Sequence, residues 1–399
     1  MLVLTRDRRN VVVLATCQTL FGTGRSLIVA TAPLIAYAMA EEKALATLPH
    51  ALVIVGTAAL TLPAALLMRR LGRRLGFAIG GMIGAVGGIV CVHAVLGADF
   101  WWFCLGTFLF GTSAGFAQHY RFAVADVASP DFRGKAISLV LAAGVVSGVA
   151  GPELARFGKD MFLPAVFLGP YIFLIAIMAL SSLVVMFVDI PNLTPREAAE
   201  TRRPMMAIMR QPVFIVSVLA ATVGQGVMNL LMTATPLAMQ HAQHVFDDTA
   251  LVIEWHIVCM FAPGFVTGSL IRRWGEIAII MAGLALIAIC VPIALAGHGV
   301  LHFWLSMAIL GIGWNFTFTA GTSLLTQAHT PGERAKTQGM VNFIIYGVAA
   351  VSALAAGPLL HFFSWETVNM AALPLVLVAV IVTLHYSLRQ RTQPQGGGA

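Results

Sequence analysis

Apolar runs long enough to cross a bilayer, separated by short polar joints, occupy almost the whole chain. Twelve of them fall at about residues 11–38, 49–68, 75–97, 100–122, 136–156, 163–188, 212–238, 249–271, 277–297, 302–325, 338–361 and 367–387. A helix needs about 20 apolar residues to cross about 30 Å of hydrocarbon, so each run predicts one membrane-spanning helix. Strands of a membrane barrel would alternate in short segments, and these runs do not alternate. The expected fold class is all-α, a polytopic membrane protein with 12 transmembrane helices.

The runs also repeat. Ala32-Pro33-Leu34 returns as Thr235-Pro236-Leu237, and Leu67-Met68-Arg69-Arg70-Leu71-Gly72 as Leu270-Ile271-Arg272-Arg273-Trp274-Gly275, both after 203 residues. Pro130-Asp131-Phe132-Arg133-Gly134-Lys135 returns as Pro331-Gly332-Glu333-Arg334-Ala335-Lys336 after 201, and Ala150-Gly151-Pro152 as Ala356-Gly357-Pro358 after 206. Four fragments in one order at nearly one offset predict two parallel-repeat six-helix bundles, a design used by transporters with a central site. The expected divisions are an N-terminal bundle at 1–188, a cytoplasmic linker at 189–211, a C-terminal bundle at 212–387 and a disordered cytoplasmic tail at 388–399. Gly76, Gly80, Gly84 and Gly88 line one face of the third span, a pattern that lets a neighbouring helix approach closely.

Composition agrees with lipid as the solvent: 59% of residues are hydrophobic, 10% are charged, and the mean hydropathy is +0.88. The net charge of +7 reflects topology and implies no nucleic acid. Of 24 lysines and arginines, 20 fall in the tails and loops on the side holding both termini. Lys and Arg accumulate on the cytoplasmic side, so both termini are expected there, in a multi-pass protein of the plasma membrane (the inner membrane in a bacterium). The first span is too long for the core of a cleavable signal. Cys17, Cys91, Cys104, Cys259 and Cys290 all lie inside spans without metal spacing, and are expected to pack as small apolar residues.

Twelve spans, a six-plus-six repeat and basic loops after spans 2 and 8 resemble the major facilitator superfamily of secondary transporters over essentially the whole chain. In that family the loop after helix 2 reads G-x-L-x-D-R-x-G-R-R; residues 65–74 here read A-L-L-M-R-R-L-G-R-R. Arg70, Gly72, Arg73 and Arg74 match, whereas Arg69, and Arg272 in the second half, stand where the family has Asp. Residues 130–136 and 331–337 are similar to the P-x-x-R-G-x-A pattern after helices 4 and 10. Thr107 stands where many proton-driven members carry an arginine, and Ser147 takes the first glycine of the antiporter signature. The resemblance implies gating loops containing Arg70, Gly72, Arg73, Arg133, Arg273, Gly275 and Arg334, and transport by alternating access.

Charge within a bilayer is costly, about 2.5–3.5 kcal/mol at a helix centre on insertion scales, so buried polar residues mark candidate sites. Arg25 lies mid-span, and its repeat mate is the apolar Met228; a guanidinium there suits an anionic or carbonyl-rich solute. Further substrate-binding candidates are Gln118, Gln225, Asn229, Trp255, His256, Trp314 and Asn315. Candidates for proton coupling are Glu153, His119, Arg121 and Glu254, since desolvation makes carboxyl groups protonatable near working pH and histidine titrates there. Helix packing, interfacial solvation or snorkelling is the competing role for each. His241, His244, Asp247 and Asp248 in the loop after span 7 include ligand-type side chains, but a solvated loop is the simpler reading and no metal is expected.

An enzyme would need a nucleophile with its base or a metal constellation, and a receptor a soluble signalling domain; neither pattern is evident. No phosphate-binding Gly-x-x-x-x-Gly-Lys-Ser/Thr segment occurs. The function expected is secondary active transport of a small organic solute, anionic or polar, coupled to protons, with proton-driven efflux of amphiphilic drugs as the alternative. The expected partners are a small-molecule substrate, the lipid bilayer and protons, in a monomer without a cofactor.

Overall fold

The computed structural model describes residues 6–127, 133–189 and 203–392. The spans form α1 (Arg6–Met39), α2 (Leu48–Leu71), α3 (Arg73–Gly97), α4 (Phe100–Ala117), α5 (Arg133–Gly158) and α6 (Leu168–Val184). The second half repeats them as α7 (Pro212–His241), α8 (Phe246–Phe261 with Gly264–Trp274), α9 (Glu276–Leu295), α10 (Val300–Leu325), α11 (Arg334–Phe362) and α12 (Trp365–Met370 with Ala372–Thr392). Eleven helices are each long and apolar enough to span, and the bent pair of α8 makes a twelfth. All regular structure among the described residues is helical, as hydrocarbon demands of a backbone that must satisfy its own polar groups.

Two spans depart from expectation, the first for a local reason. The eighth was expected as one helix over 249–271, but it bends by 41° between Phe261 and Gly264. Pro263 sits at that break, with no N–H to continue the helical ladder and a ring that clashes with the preceding turn. The fourth, expected to run to residue 122, stops at Ala117 and resumes as a short helix at Tyr120–Val127.

Each half builds its own core. Val11, Leu14, Phe77, Phe103, Tyr171 and Met178 anchor the first, and Met228, Leu231, Ile280, Leu284, Phe303 and Val376 the second. Small residues let backbones touch at matching places. A Cβ on Gly87 of α3 would lie 2.8 Å from the Gly106 carbonyl oxygen of α4, and one on Gly283 of α9 lies equally close to that of Gly313 of α10. The Gly76–Gly88 face of α3 is a packing face, with Met68, Phe116, Met178 and Ile175 against its four glycines.

The repeated basic loops share one backbone device. Gly72 ends α2 at φ 86°, ψ 153°, and Gly275 ends α8 at φ 82°, ψ 160°. That region is essentially closed to residues bearing a Cβ, which accounts for the glycine at both ends of the 203-residue offset. The next helix starts at once in each case, so the chain reverses without a loop.

An even number of spans puts both termini on one face of the protein, termed here the terminal face, opposite the distal face. The two halves meet mainly towards the distal face. The Gly357 amide of α11 donates to Thr47 Oγ1 at 3.1 Å, beside a small-residue contact of Ala51 and Ile54 with Ala349, Ala350 and Ala353. Tyr37 of α1 and His241 of α7 meet edge to face at 5.6 Å, and Phe167 and Phe246 at 4.9 Å. On the terminal face, Asn10 donates to the Asp189 carbonyl within the first half. In the second half, Glu333 accepts from Arg203 Nε at 2.8 Å and Nη2 at 2.7 Å, and from the Arg203 and Thr330 amides. The Arg203 guanidinium, then the Thr330 amide, hold this carboxyl well below the usual carboxylate range.

The glycine joints yield a stability test. Gly72→Ala and Gly275→Ala should each cost about 1–3 kcal/mol, read as a lower midpoint in thermal unfolding of the purified protein. Gly339→Ala, at a helical site with open space around it, should leave the midpoint unchanged or slightly higher.

Candidate functional site

Arg25 stands near the middle of α1 on a helix fixed tightly by its neighbours. Ser26 Oγ donates to the Ser147 carbonyl of α5 at 2.6 Å, and Thr31 Oγ1 meets the Tyr171 hydroxyl of α6 at 3.1 Å. Val29 and Ala30, about one turn on, pack into the core of the second half, so Arg25 lies along the seam between the halves. It is half-buried, and no hydrogen bond or ion pair joins it to another described residue. His50 of α2 lies within its electrostatic reach. That imidazole is 3% exposed, and neither ring nitrogen has a hydrogen-bond partner.

A second polar station comes from α7 and α10. Trp314 Nε1 donates to Gln225 Oε1 at 2.8 Å. The Trp314 ring stacks on Phe318 at 5.1 Å and meets Phe261 edge-on at 6.1 Å. Phe261 in turn packs on Gly144 of α5, bringing the aromatic group to the seam. Thr222, Gln225 and Asn229 recur at helical spacing along one face of α7. Asn229 Nδ2 donates to the Gln225 carbonyl at 2.8 Å, while Asn229 Oδ1, Thr222 Oγ1 and Thr233 Oγ1 remain buried without partners. Buried polar atoms are normally satisfied, so this cluster of exceptions marks a place where another molecule can supply the missing bonds.

Other candidates take part in helix packing. Asn315 Nδ2 donates to the Met260 carbonyl at 2.7 Å, and Asn315 Oδ1 accepts from Thr267 Oγ1 at 2.7 Å. Asn315 thereby grips both pieces of α8 across the Pro263 break and fixes the neighbouring Trp314. His256 Nδ1 pairs with the Met307 carbonyl at 2.7 Å, joining α8 to α10, while its Nε2 stays unpaired in the interior. Trp255 points elsewhere, half-exposed and edge-on to Trp304 at 5.9 Å. Gln118 is half-buried at the end of α4, and His119 Nε2 lies 3.1 Å from the Thr61 carbonyl of α2.

Glu153 and Glu254, 101 residues apart, meet between α5 and α8. Glu254 lies within electrostatic reach of Glu153 and Arg156. Arg156 pairs with Glu153, donates to the Asp247 carbonyl at 3.1 Å and lies 3.5 Å from the Asp247 carboxylate. Arg156 thus pairs with a carboxylate on its own helix and reaches another across the seam at the distal end.

Of the loop residues, Arg70, Arg273 and Arg334 are exposed, Arg73 is half-buried, and Arg273 lies over the Trp274 ring at 5.5 Å. The side chains of Arg121 and Arg133 lie outside the described ones. The four residues of the α7–α8 connection diverge: His241 contacts Tyr37, Asp247 contacts Arg156, and His244 pairs with the His298 carbonyl at 2.6 Å, 4.0 Å from Asp248. Among the described residues no three such side chains converge as metal ligands.

Sequence reasoning missed His50, Thr222 and Thr233. For His50 a signal existed: its mate at the 203-residue offset is Ile253, an asymmetry like that of Arg25 and Met228.

The chain matches the family model of the Major Facilitator Superfamily over residues 14–353 and 257–398. It is 38% identical over 398 residues to the riboflavin transporter RfnT of Brucella anthropi, covering 99% of this chain and 98% of that protein. It is 29% identical over 395 residues to YdeG of Bacillus subtilis, named an uncharacterized MFS-type transporter, covering 94% and 91%. Among solved structures, the fold is similar to a mutant of the nucleoside transporter NupG, with TM-score 0.71 and 14% identity over 96% of this chain and 99% of that one. It is also similar to the human organic anion transporter MFSD10, with TM-score 0.67 and 17% identity over 95% and 100%.

The Asn315 bridge can be tested apart from transport. Asn315→Ala leaves the Met260 carbonyl and the Thr267 hydroxyl without their partner and should cost about 1–3 kcal/mol. Thermal unfolding should show that Thr267→Val added to Asn315→Ala costs less than Thr267→Val alone, because the two share one interaction.

Proposed function

Because the chain belongs to the Major Facilitator Superfamily, and so is a secondary transporter rather than an enzyme, we propose that its substrate is riboflavin or a closely related flavin. The observation that carries this reading is the 38% identity to a riboflavin transporter along 99% of the chain. The site suits the ligand. Riboflavin has a planar three-ring system, a polar pyrimidinedione edge and a hydroxylated side chain. Trp314, Phe318 and Phe261 offer a stacking surface, Thr222 and Asn229 offer unpaired polar atoms for hydroxyls, and Arg25 offers donors without a counter-ion. Riboflavin is uncharged near neutral pH, so Arg25 acts through its planar array of N–H donors rather than by neutralising an anion.

In this reading the two bundles, 1–188 and 212–387, rock about the site, with both termini cytoplasmic. The distal closure then faces outward and the described conformation opens towards the cytoplasm. Transport is coupled to protons through Glu153 and Glu254. Distal closure brings the two carboxyl groups towards each other across the seam and opening parts them, so in this reading closure takes up a proton and opening releases it.

Uptake of riboflavin into proteoliposomes, with and without an imposed pH gradient, tests both parts. The purified protein should transport riboflavin in preference to cationic amphiphilic drugs, and the gradient should accelerate uptake. Preference for the drugs would favour efflux of amphiphiles instead. Arg25→Ala should weaken riboflavin binding by about 10- to 100-fold, equivalent to about 1.5–3 kcal/mol for hydrogen bonds from a charged donor; unchanged affinity would remove Arg25 from the site. Glu254→Gln should still exchange riboflavin down its concentration gradient but lose stimulation by the pH gradient. Retained stimulation would exclude this coupling route.

A further inference from the structure

His50 makes no side-chain hydrogen bond to any described residue. It sits one turn beyond Thr47, just inside the α2–α11 contact, almost fully buried and with both ring nitrogens unpartnered. The charged group that bears on it is Arg25 of α1, itself unpaired among the described residues. The second half shows what this position needs for packing alone. At the 203-residue offset, His50 becomes Ile253 and Arg25 becomes Met228, both fully buried in the core. The same architecture is therefore built with two apolar residues where the first half holds two polar ones.

A guanidinium supplies only donors, whereas a neutral imidazole supplies one donor and one acceptor. Together they can complement a group that alternates acceptor, donor and acceptor. Extending the flavin reading, on which this rests, we propose that Arg25 and His50 form the specificity pole for an imide edge, O=C–NH–C=O, the pyrimidinedione end of the flavin ring. Arg25 donates to a carbonyl oxygen, and the unprotonated nitrogen of His50 accepts the imide N–H. The ring system then extends away from α1 and α2, its far end apolar. A site built around the imide N–H discriminates strongly against a ligand lacking it, because the buried acceptor is left unpaired.

Binding of riboflavin and of 3-methylriboflavin, whose imide nitrogen carries a methyl group, is measured by quenching of flavin fluorescence on the full chain in lipid nanodiscs. The wild type should bind the methylated ligand at least about tenfold more weakly. His50→Ile, which installs the residue of the other half, should bind riboflavin about tenfold more weakly and lose the discrimination. His50→Gln, which keeps an acceptor, should retain part of it, and it guards against a folding defect in the isoleucine variant. A role of His50 in packing alone would shift both ligands equally and leave their ratio intact. Discrimination that persists in His50→Ile, or a wild type that binds both flavins equally, overturns the assignment while flavin transport stands. A wild type that binds neither overturns the flavin reading itself.

Discussion

Hydrocarbon offers no hydrogen-bond partner, and almost every feature of this molecule follows from that one constraint. The backbone answers it by forming helices. Hydroxyl side chains answer it locally: Thr23, Thr57, Thr235 and Thr322 each donate to a carbonyl four residues back on their own helix. The larger polar groups find carbonyls on neighbours, as Asn315 does on Met260 and His256 on Met307. Against so complete a settlement, the few groups left over stand out, and Arg25, His50 and Asn229 are among them. The proposed site gathers several of these leftover groups.

The architecture was legible in the sequence for the same reason. Spans must be long and apolar, so hydropathy finds them, and basic loops must sit outside the lipid, so the arginines mark the joints. What hydropathy does not register is a single backbone interruption inside an apolar stretch. Pro263 stands among Phe261, Ala262 and Phe265, and α8 breaks there without any loss of apolar character. The site was legible only in part. Arg25 declares itself by charge at mid-span, while His50 lies near the start of its span, where a polar residue attracts no notice. Glu153 and Glu254 are conspicuous one by one, but their meeting is tertiary, set by the packing of α5 on α8. Asn315 shows the converse: a polar residue at mid-span whose bonds are taken up by a broken helix.

The internal repeat separates what the fold requires from what the site requires. Positions that coincide in the two halves carry backbone duties. Gly72 and Gly275 share a conformation barred to other residues, and the glycine pairs of α3–α4 and α9–α10 let helices touch. Positions that differ are where the proposed site lies, with Arg25 opposite Met228 and His50 opposite Ile253. Phe132 and Glu333 differ in the same way, and there the carboxylate secures Arg203 at the entry to the second half. A duplicated scaffold has thus kept its geometry twice and placed its polar specialisation in single copies.

Arg25 has no counter-ion among the described residues, and this has an electrical consequence. In the proposed rocking of the two bundles, a fixed positive charge at their seam sits inside the membrane field, which is worth about 2.3 kcal/mol per elementary charge per 100 mV. The uncharged substrate proposed above would leave that charge in place, so loaded and empty carriers alike would feel the potential when they reorient. With the cell interior negative, the field favours the conformation that places the guanidinium electrically nearer the cytoplasm. The resting voltage of the cell would then act directly on the direction in which the empty carrier waits.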